Sequence, residues 1–119
     1  MDKNLNLLEQ AIINEIAEFN KSEYSFIKEH LPHLRIKSRE DTGVGMYVYF
    51  KYSEEEVNLE MNNSEDTCLS SDKSLELDVL EYGVNYELNI TNGKIDFLEL
   101  VTNGEDWDGK YENFNFSNL

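Results

Sequence analysis

The dipeptide Asn92-Gly93 joins two runs of residues, 84–91 and 94–101, that are rich in apolar side chains alternating with polar ones. Asn-Gly is the pair most favoured in two-residue type I′ turns, because both positions require a positive φ. Such a turn matches the twist of antiparallel strands, so the sequence predicts a β-hairpin over 84–101. A chain with this hairpin needs an antiparallel sheet with one face to bury.

A two-residue turn also determines which residues face each other across the hairpin. Counting outward from the turn, Ile90 faces Ile95, and Tyr86 faces Glu99 on the same side. The other pairs predicted for this side are Leu88 with Phe97 and Val84 with Val101. This side is mainly apolar and is the predicted core face. Glu99 is then a carboxylate in the core, which needs a polar partner, and Tyr86 is its predicted neighbour.

Two helical patterns precede the sheet-forming part of the chain. Apolar residues recur every three or four positions over 4–19, which predicts an amphipathic helix with Asn4 as its N-cap. A shorter helix is predicted over 23–31, with Ser22 as its N-cap and Pro32 ending it. We expect the two helices to cover one face of the sheet.

Further strands are predicted where the apolar period changes to two. The segments are 33–39, 46–52 and 75–80, with a short edge strand over 57–61 and a polar loop over 62–74. One face of the first of these strands carries three basic residues, Arg35, Lys37 and Arg39. After the hairpin, the C-terminal stretch is turn-rich and acidic, with aromatic residues between the acids.

Length and composition fit a single domain. The chain has 119 residues, of which 39% are hydrophobic and 12% aromatic, enough to form one core. The predicted domain is helical over 1–32 and mainly β over 33–119. The predicted fold class is α+β, with an N-terminal helical pair packed on a largely antiparallel, twisted sheet of about five strands.

Charge is distributed unevenly along the chain, whose net charge is −15. Residues 1–52 contain seven basic and eight acidic residues, whereas residues 53–119 contain three basic and seventeen acidic ones. A negative field of this size repels nucleic acid and anionic lipid, so we expect no direct nucleic-acid binding and no membrane binding. It attracts a basic protein partner. The alternative is that the charge serves solubility alone.

Residues suited to catalysis or metal binding are not grouped in the sequence. Cys68 is the only cysteine and lies in an acidic stretch, which lacks the electropositive surroundings of a reactive thiolate. His30 and His33 are separated by Pro32, and no third zinc ligand follows at a suitable spacing. The acids of 105–108 do not match the EF-hand pattern. We therefore expect a non-enzymatic protein without cofactor or metal.

Features of membrane insertion and secretion are missing from the sequence. The longest apolar run has five residues, Met46 to Phe50, whereas a transmembrane helix needs about 18 or more. The first residues are polar and do not resemble a signal peptide. A single cysteine fits a reducing compartment. The prediction is a cytoplasmic protein that is a monomer or a weak homodimer.

Several short motifs occur in an order that resembles a group of small bacterial proteins. The first is Arg39-Glu40-Asp41-Thr42-Gly43-Val44-Gly45, which matches an Arg-Glu-x-Thr-Gly-x-Gly turn before an aromatic strand. The later motifs are Leu80-Glu81-Tyr82-Gly83, Asn92-Gly93, Leu98-Glu99 and Gly104-Glu105-Asp106-Trp107. Many members of the group continue with Trp-Pro, whereas Asp108 follows Trp107 here. In size and acidity the group is similar to immunity proteins of contact-dependent growth inhibition and related polymorphic toxin systems.

Together, charge and resemblance predict an immunity protein that binds and neutralises a cationic toxin domain. A nuclease is the expected target, because its substrate groove is basic and an acidic protein can block it. Aromatic residues such as Trp107, Tyr111 and Tyr49 would add buried contact area. The residues predicted to bind the partner are Glu105, Asp106, Trp107, Asp108 and Tyr111, with Glu54, Glu55 and Glu56 as steering charges.

Two alternatives use the same sequence features differently. A stand-alone binding or regulatory module would recognise a basic peptide or protein outside any toxin pair. A small enzyme or ligand-binding domain would use a pocket between the helices and the sheet, with Glu99 as its polar group beside Tyr86. A toxin gene next to this one would favour the immunity function, whereas a filled core at Glu99 would contradict the pocket.

Overall fold

The N-terminal part of the chain forms two helices in the computed structural model, which describes residues 3–53 and 66–118. Helix α1 spans Leu7–Phe19 and helix α2 spans Phe26–His30. A single 3₁₀ turn, Leu31–His33, follows α2 and contains Pro32. Among the described residues no helix has the length and apolar character needed to cross a membrane, and α1, with 13 residues, is the longest.

Helix α1 begins three residues later than the apolar pattern predicts. Its N-cap is Asn6, whose side-chain oxygen accepts a hydrogen bond from the backbone N–H of Glu9 at 2.8 Å. The Glu9 carboxylate accepts from the backbone N–H of Asn6, also at 2.8 Å. This reciprocal capping box needs Glu or Gln three residues after the cap, and Asn4 has Leu7 there.

Seven strands of one antiparallel sheet lie within the described residues. They are β1 (Leu34–Asp41), β2 (Gly45–Tyr52), β3 (Thr67–Leu69), β4 (Lys73–Leu77), β5 (Val84–Thr91), β6 (Lys94–Thr102) and β7 (Phe114–Asn118). Their order is β1-β2-β6-β5-β4-β7, and β3 also pairs with β5. The predicted α+β class is confirmed, with more strands than the predicted five. The predicted edge strand 57–61 lies outside the described residues.

The β5–β6 hairpin has the predicted turn but changes register close to it. Ile90 pairs with Ile95, as predicted. The next pair joins Asn89 to Phe97, so Asp96 is an extra residue on β6 without a partner on β5. This is a β-bulge, and every pair beyond it moves by one residue.

Because side chains alternate between the two faces of a strand, a shift of one residue reverses the faces. Beyond the bulge, Tyr86 lies opposite Leu100, and Glu99 lies opposite Glu87. Tyr86 is buried in the core, whereas Glu99 is on the other side of the sheet. The predicted polar pair of Tyr86 and Glu99 in the core is therefore wrong, and so is the pocket that would contain both.

A second bulge lies in β1, where the register with β2 shifts between Ile36 and Ser38 and leaves Lys37 as the extra residue. Arg39 then pairs with Val48, a fully buried residue. The side chain of Arg39 consequently lies on the helix-covered side of the sheet. The prediction that Arg39 shares a face with Lys37 is wrong for the same reason as in β6.

Because the bulge places Arg39 on the helix-covered side, its side chain forms an ion pair with Glu9 at the start of α1. Arg39 Nε donates to Glu9 Oε2 at 2.8 Å, and the terminal Nη2 donates to Oε1 at 2.8 Å. The Glu9 side chain is 3% exposed and that of Arg39 is 35% exposed. Since Glu9 also accepts from Asn6 N–H, one carboxylate holds both the helix cap and the sheet.

The hydrophobic core lies between the helices and one face of the sheet. The helices contribute Leu8, Ile12, Ile13, Ile16, Ala17, Phe26 and Ile27 to it. The central strands contribute alternate residues, including Val48, Phe50, Tyr86, Leu88, Ile90, Ile95, Leu98 and Leu100. We call the opposite side of the sheet the open face, because no helix of the described residues packs on it.

Candidate binding surface

The predicted partner-binding segment begins with Glu105, which has a structural role. Its carboxylate oxygens accept from the backbone N–H groups of Glu81 and Tyr82, each at 2.9 Å. Its carbonyl oxygen accepts from the hydroxyl of Thr102 at 2.6 Å. Glu105 is half-buried and fixes the 78–83 loop, so its charge is engaged within the protein.

Trp107 is 5% exposed and belongs to the core. Its backbone N–H donates to the carbonyl of Gly43, and its indole Nε1–H donates to the carbonyl of Lys110, both at 2.9 Å. The Gly-Glu-Asp-Trp motif therefore docks on the Thr-Gly-x-Gly turn. The prediction that the Trp107 ring contacts a partner is wrong, because the ring is already buried here.

Tyr111 is half-buried and also supports the fold. Burial raises the pKa of its hydroxyl, which interacts with the backbone of Leu8 and lies near Glu9 and Arg39. The sequence pattern of acids beside aromatic rings does not distinguish exposed rings from rings that close the core. In this segment Trp107 is part of the core, and the Tyr111 ring packs against the core.

Asp106 and Asp108 are the members of the predicted segment that remain exposed. Asp108 accepts a hydrogen bond from the backbone N–H of Lys110 at 3.0 Å. Both aspartates line an open groove of about 590 Å³ together with Asp41, at the end of β1. They extend the negative charge at that end of the sheet. The predicted steering charges Glu54, Glu55 and Glu56 lie outside the described residues.

Three aromatic rings cluster on the open face. Tyr47 and Tyr49 are stacked with their ring centroids 6.1 Å apart. Phe97 contacts both of them, at 5.9 Å from Tyr47 and 5.7 Å from Tyr49. All three rings are half-buried and pack on one another at the surface. Tyr49, one of the predicted contact rings, belongs to this cluster.

A row of polar side chains, three of them carboxylates, crosses four strands at one end of this cluster. The paired residues in order are Glu40 on β1, Tyr47 on β2, Glu99 on β6 and Glu87 on β5. A hydrogen bond from the Tyr47 hydroxyl to Glu99 raises the pKa of Tyr47. Glu87 directly opposes Glu99, and like charges at opposed positions destabilise a sheet. Of the ion pairs among the described residues, none involves these three glutamates.

The open face changes sign along β2. Tyr47 lies at the acidic end, between Glu40 and Glu99. Lys51 lies two positions beyond Tyr49 and pairs with Arg35 of β1. The face therefore has an acidic end, an aromatic centre and a smaller basic end. Such a surface fits a protein partner with an opposite arrangement of charges.

The core contains a histidine whose hydrogen bonding is incomplete. His30 is 2% exposed, and its Nδ1 lies 2.7 Å from the Tyr52 hydroxyl. The same hydroxyl accepts from the backbone N–H of Ile95 at 2.9 Å. The other ring nitrogen, Nε2, has no hydrogen-bond partner among the described residues. Burial lowers the pKa of His30, and burial raises that of Tyr52 to about 12.

The described residues contain no group of three His, Cys, Asp or Glu side chains that could hold a metal ion. Comparisons of the chain with protein-family models, curated proteins and solved structures found no match. The surface that sequence reasoning missed, the open face, had one signal: Ile95 and Leu98 are three residues apart, which breaks the strand period of two.

Proposed function

We propose that this protein is an immunity protein that binds a cationic toxin domain through the open face and blocks its substrate groove. The observation that carries the proposal is the row of Glu40, Glu99 and Glu87 beside the aromatic cluster. Rings supply contact area at small entropic cost, and carboxylates supply specificity for a basic surface. It is also supported by the resemblance of the Arg39–Gly45 turn to a group of small bacterial proteins that is similar to immunity proteins in size and acidity.

The opposed pair of Glu87 and Glu99 explains why a cation would favour this surface. Their repulsion is retained in the free protein and is relieved when a Lys or Arg side chain of the partner lies between them. Asp106 and Asp108, at the neighbouring groove, add long-range attraction without needing direct contact. The mechanism is occlusion in the cytoplasm, with no chemical step and no cofactor. A nuclease domain is the favoured target, since its groove is built to hold phosphates.

The experiment first reads the genes next to this one, where the proposal expects a basic toxin domain and the absence of one would contradict it. That domain is then used inactivated for calorimetry and active for a nuclease assay. We expect a 1:1 complex whose Kd increases with salt and which inhibits cleavage. The double variant Glu87→Gln/Glu99→Gln should weaken binding by at least tenfold. The matched control is Glu23→Gln/Glu29→Gln, which removes the same charge from exposed positions near α2 and should change Kd less than twofold.

Equal effects of the two double variants on Kd would contradict the proposed site. Binding would then depend on the net charge of the protein and not on the positions of Glu87 and Glu99. Binding without inhibition of the toxin would favour the stand-alone regulatory module instead. Tyr49→Ala tests the aromatic part of the surface. It should increase the dissociation rate with little effect on association, because short-range contacts act mainly after encounter.

A further inference from the structure

The two outer strands of the sheet differ in how their edges are protected. Edge strands usually carry charged residues, proline or bulges that prevent pairing with another chain. β1 has five charged residues among eight, a bulge at Lys37, and a backbone hydrogen bond from Ile36 N–H to the carbonyl of Lys3. β7, with the sequence Phe-Asn-Phe-Ser-Asn, has no charged residue, no proline and no bulge in its pairing with β4.

The outer edge of β7 has no strand partner among the described residues. Its pairing with β4 is regular over five residues, from Leu77 opposite Phe114 to Lys73 opposite Asn118. Half of the backbone N–H and C=O groups of such a strand point away from the sheet. They form a template for one more strand, and nothing in the sequence of β7 blocks it.

A groove of about 600 Å³ lies beside β7, between β4 and the 78–83 loop. We call it the β7 groove. Apolar atoms of Leu77, Leu80 and Phe114 line it. Its charged lining residues are all acidic: Glu76, Asp78 and Glu81. A lining that combines apolar side chains with carboxylates fits the methylene stem and the charged end of a Lys or Arg side chain.

Tyr82 stands at this groove with 63% of its surface exposed. The loop that carries it is held by Glu105, through the N–H groups of Glu81 and Tyr82. The carbonyl of Tyr82 accepts from the Asn103 side chain at 2.8 Å. Because these hydrogen bonds already fix the backbone of the loop, binding at this ring orders the Tyr82 side chain but not the loop. Its face is suited to a cation–π contact.

We propose that β7 and the β7 groove receive an extended basic segment of the partner, which adds a strand to the β7 edge and places a Lys or Arg side chain in the groove. The charge of the lining residues determines the occupant, since an acidic or second identical chain would be repelled. A strand added at about 4.8 Å from β7 brings a long basic side chain within reach of Glu76 on β4. This inference rests on the proposed function for the charge of the partner.

The test uses a synthetic peptide of alternating Lys and Val, with a Glu-Val peptide as its charge-reversed control. Hydrogen exchange and NMR chemical shifts are measured on the full chain with and without peptide. We expect the Lys-Val peptide to slow exchange of outward β7 amides at least tenfold and to shift signals of the 78–83 loop. Tyr82→Ser, which removes an exposed ring, should weaken peptide binding about tenfold, as should Glu76→Gln/Glu81→Gln.

The control Glu23→Gln/Glu29→Gln, which removes the same charge from exposed positions near α2, should leave peptide affinity within twofold. Unchanged exchange in β7, or shifts spread evenly over the acidic surface, would overturn the inference. The inference would also be overturned if the Tyr82→Ser variant bound the Lys-Val peptide as tightly as the unchanged protein does. The two proposals fail separately: peptide protection of β7 without toxin binding overturns only the proposed function. Toxin binding by the open face without protection of β7 overturns only the strand addition.

Discussion

Replacing Arg39 with Met removes the cation from the most buried ion pair of the described residues. The Glu9 carboxylate, 3% exposed, then keeps one hydrogen bond, from Asn6 N–H, and loses both hydrogen bonds from the guanidinium. Removing one partner of a fully buried pair costs about 3–5 kcal/mol. Because Arg39 is 35% exposed, we expect Arg39→Met to lower the free energy of unfolding by about 2–4 kcal/mol.

The assay is urea unfolding, followed by the fluorescence of Trp107, the only tryptophan, and by far-UV circular dichroism. Lys28→Met is the matched control, because it also removes a cation that pairs with a glutamate of α1. Lys28 and Glu18 are 53% and 54% exposed, and solvent screens such pairs strongly. Lys28 and Lys21 lower the pKa of Glu18 to about 2, yet we expect no measurable loss of stability in the control.

A second substitution tests whether the buried charge is the cause. In the Arg39→Met background, Glu9→Gln replaces the unpaired carboxylate by a neutral amide that can still cap α1 through its oxygen. This should restore about 1 kcal/mol or more, since an amide costs less to bury than a charge. The reasoning is refuted if Arg39→Met costs no more than Lys28→Met, or if Glu9→Gln lowers stability further in that background.

Two further predictions concern backbone packing and pH. A Cβ at Gly45 would overlap the carbonyl oxygen of Leu100, so Gly45→Ala should cost about 3 kcal/mol in urea unfolding. Gly104→Ala should cost about 1 kcal/mol, because there is space for the added Cβ and the cost comes only from backbone strain at a φ of +85°. Burial lowers the pKa of His30 below its usual 6.5, so the unfolded chain takes up the proton first. Stability should be full above about pH 6.5 and fall below it, by at most about 1.4 kcal/mol per pH unit; His30→Phe should flatten this slope, and an unchanged slope would contradict the assignment.

The sequence is sufficient to predict the architecture because its signals are local. The period of three to four over α1, Pro32 after α2 and Asn92-Gly93 between β5 and β6 each act within a few residues. The fold class, the helical pair and the hairpin follow from them. The N-cap of α1 does not follow from them, because Asn4 and Asn6 have the same side chain. Only the position of Glu9, three residues after Asn6, favours Asn6 as the cap.

The candidate site was harder to predict because two single-residue bulges decide which side chains reach the open face. Lys37 and Asp96 each add one residue to a strand and reverse the faces beyond it. Arg39 thereby lies on the helix-covered face, where it pairs with Glu9, whereas Glu99 lies on the open face and not on the core face. Alternation alone cannot place a bulge, since it depends on pairing with a strand that is distant in the chain.

The burial of the Trp107 ring could not be predicted for a different reason. Trp107 stands among acids, and that composition is the same for a binding loop and for a segment that closes the core. The burial of Trp107 depends on a backbone hydrogen bond to Gly43, more than sixty residues away in the sequence. Such a contact leaves no periodic pattern in the segment itself.

In the sheet, β2 pairs with β6, a strand that lies far from it in the sequence. The first half of the chain therefore cannot complete its folding until β6 has been synthesised. During synthesis, α1, α2 and the β1–β2 hairpin are made well before β6. Their apolar faces therefore remain exposed until β6 can pair with β2. Pairing between distant strands is slow, and exposed apolar surface promotes aggregation in the meantime. Residues 1–52 carry a net charge of only −1, so mutual repulsion protects them little. The acidic second half therefore supplies nascent chains with both the missing strands and the charge that keeps them apart.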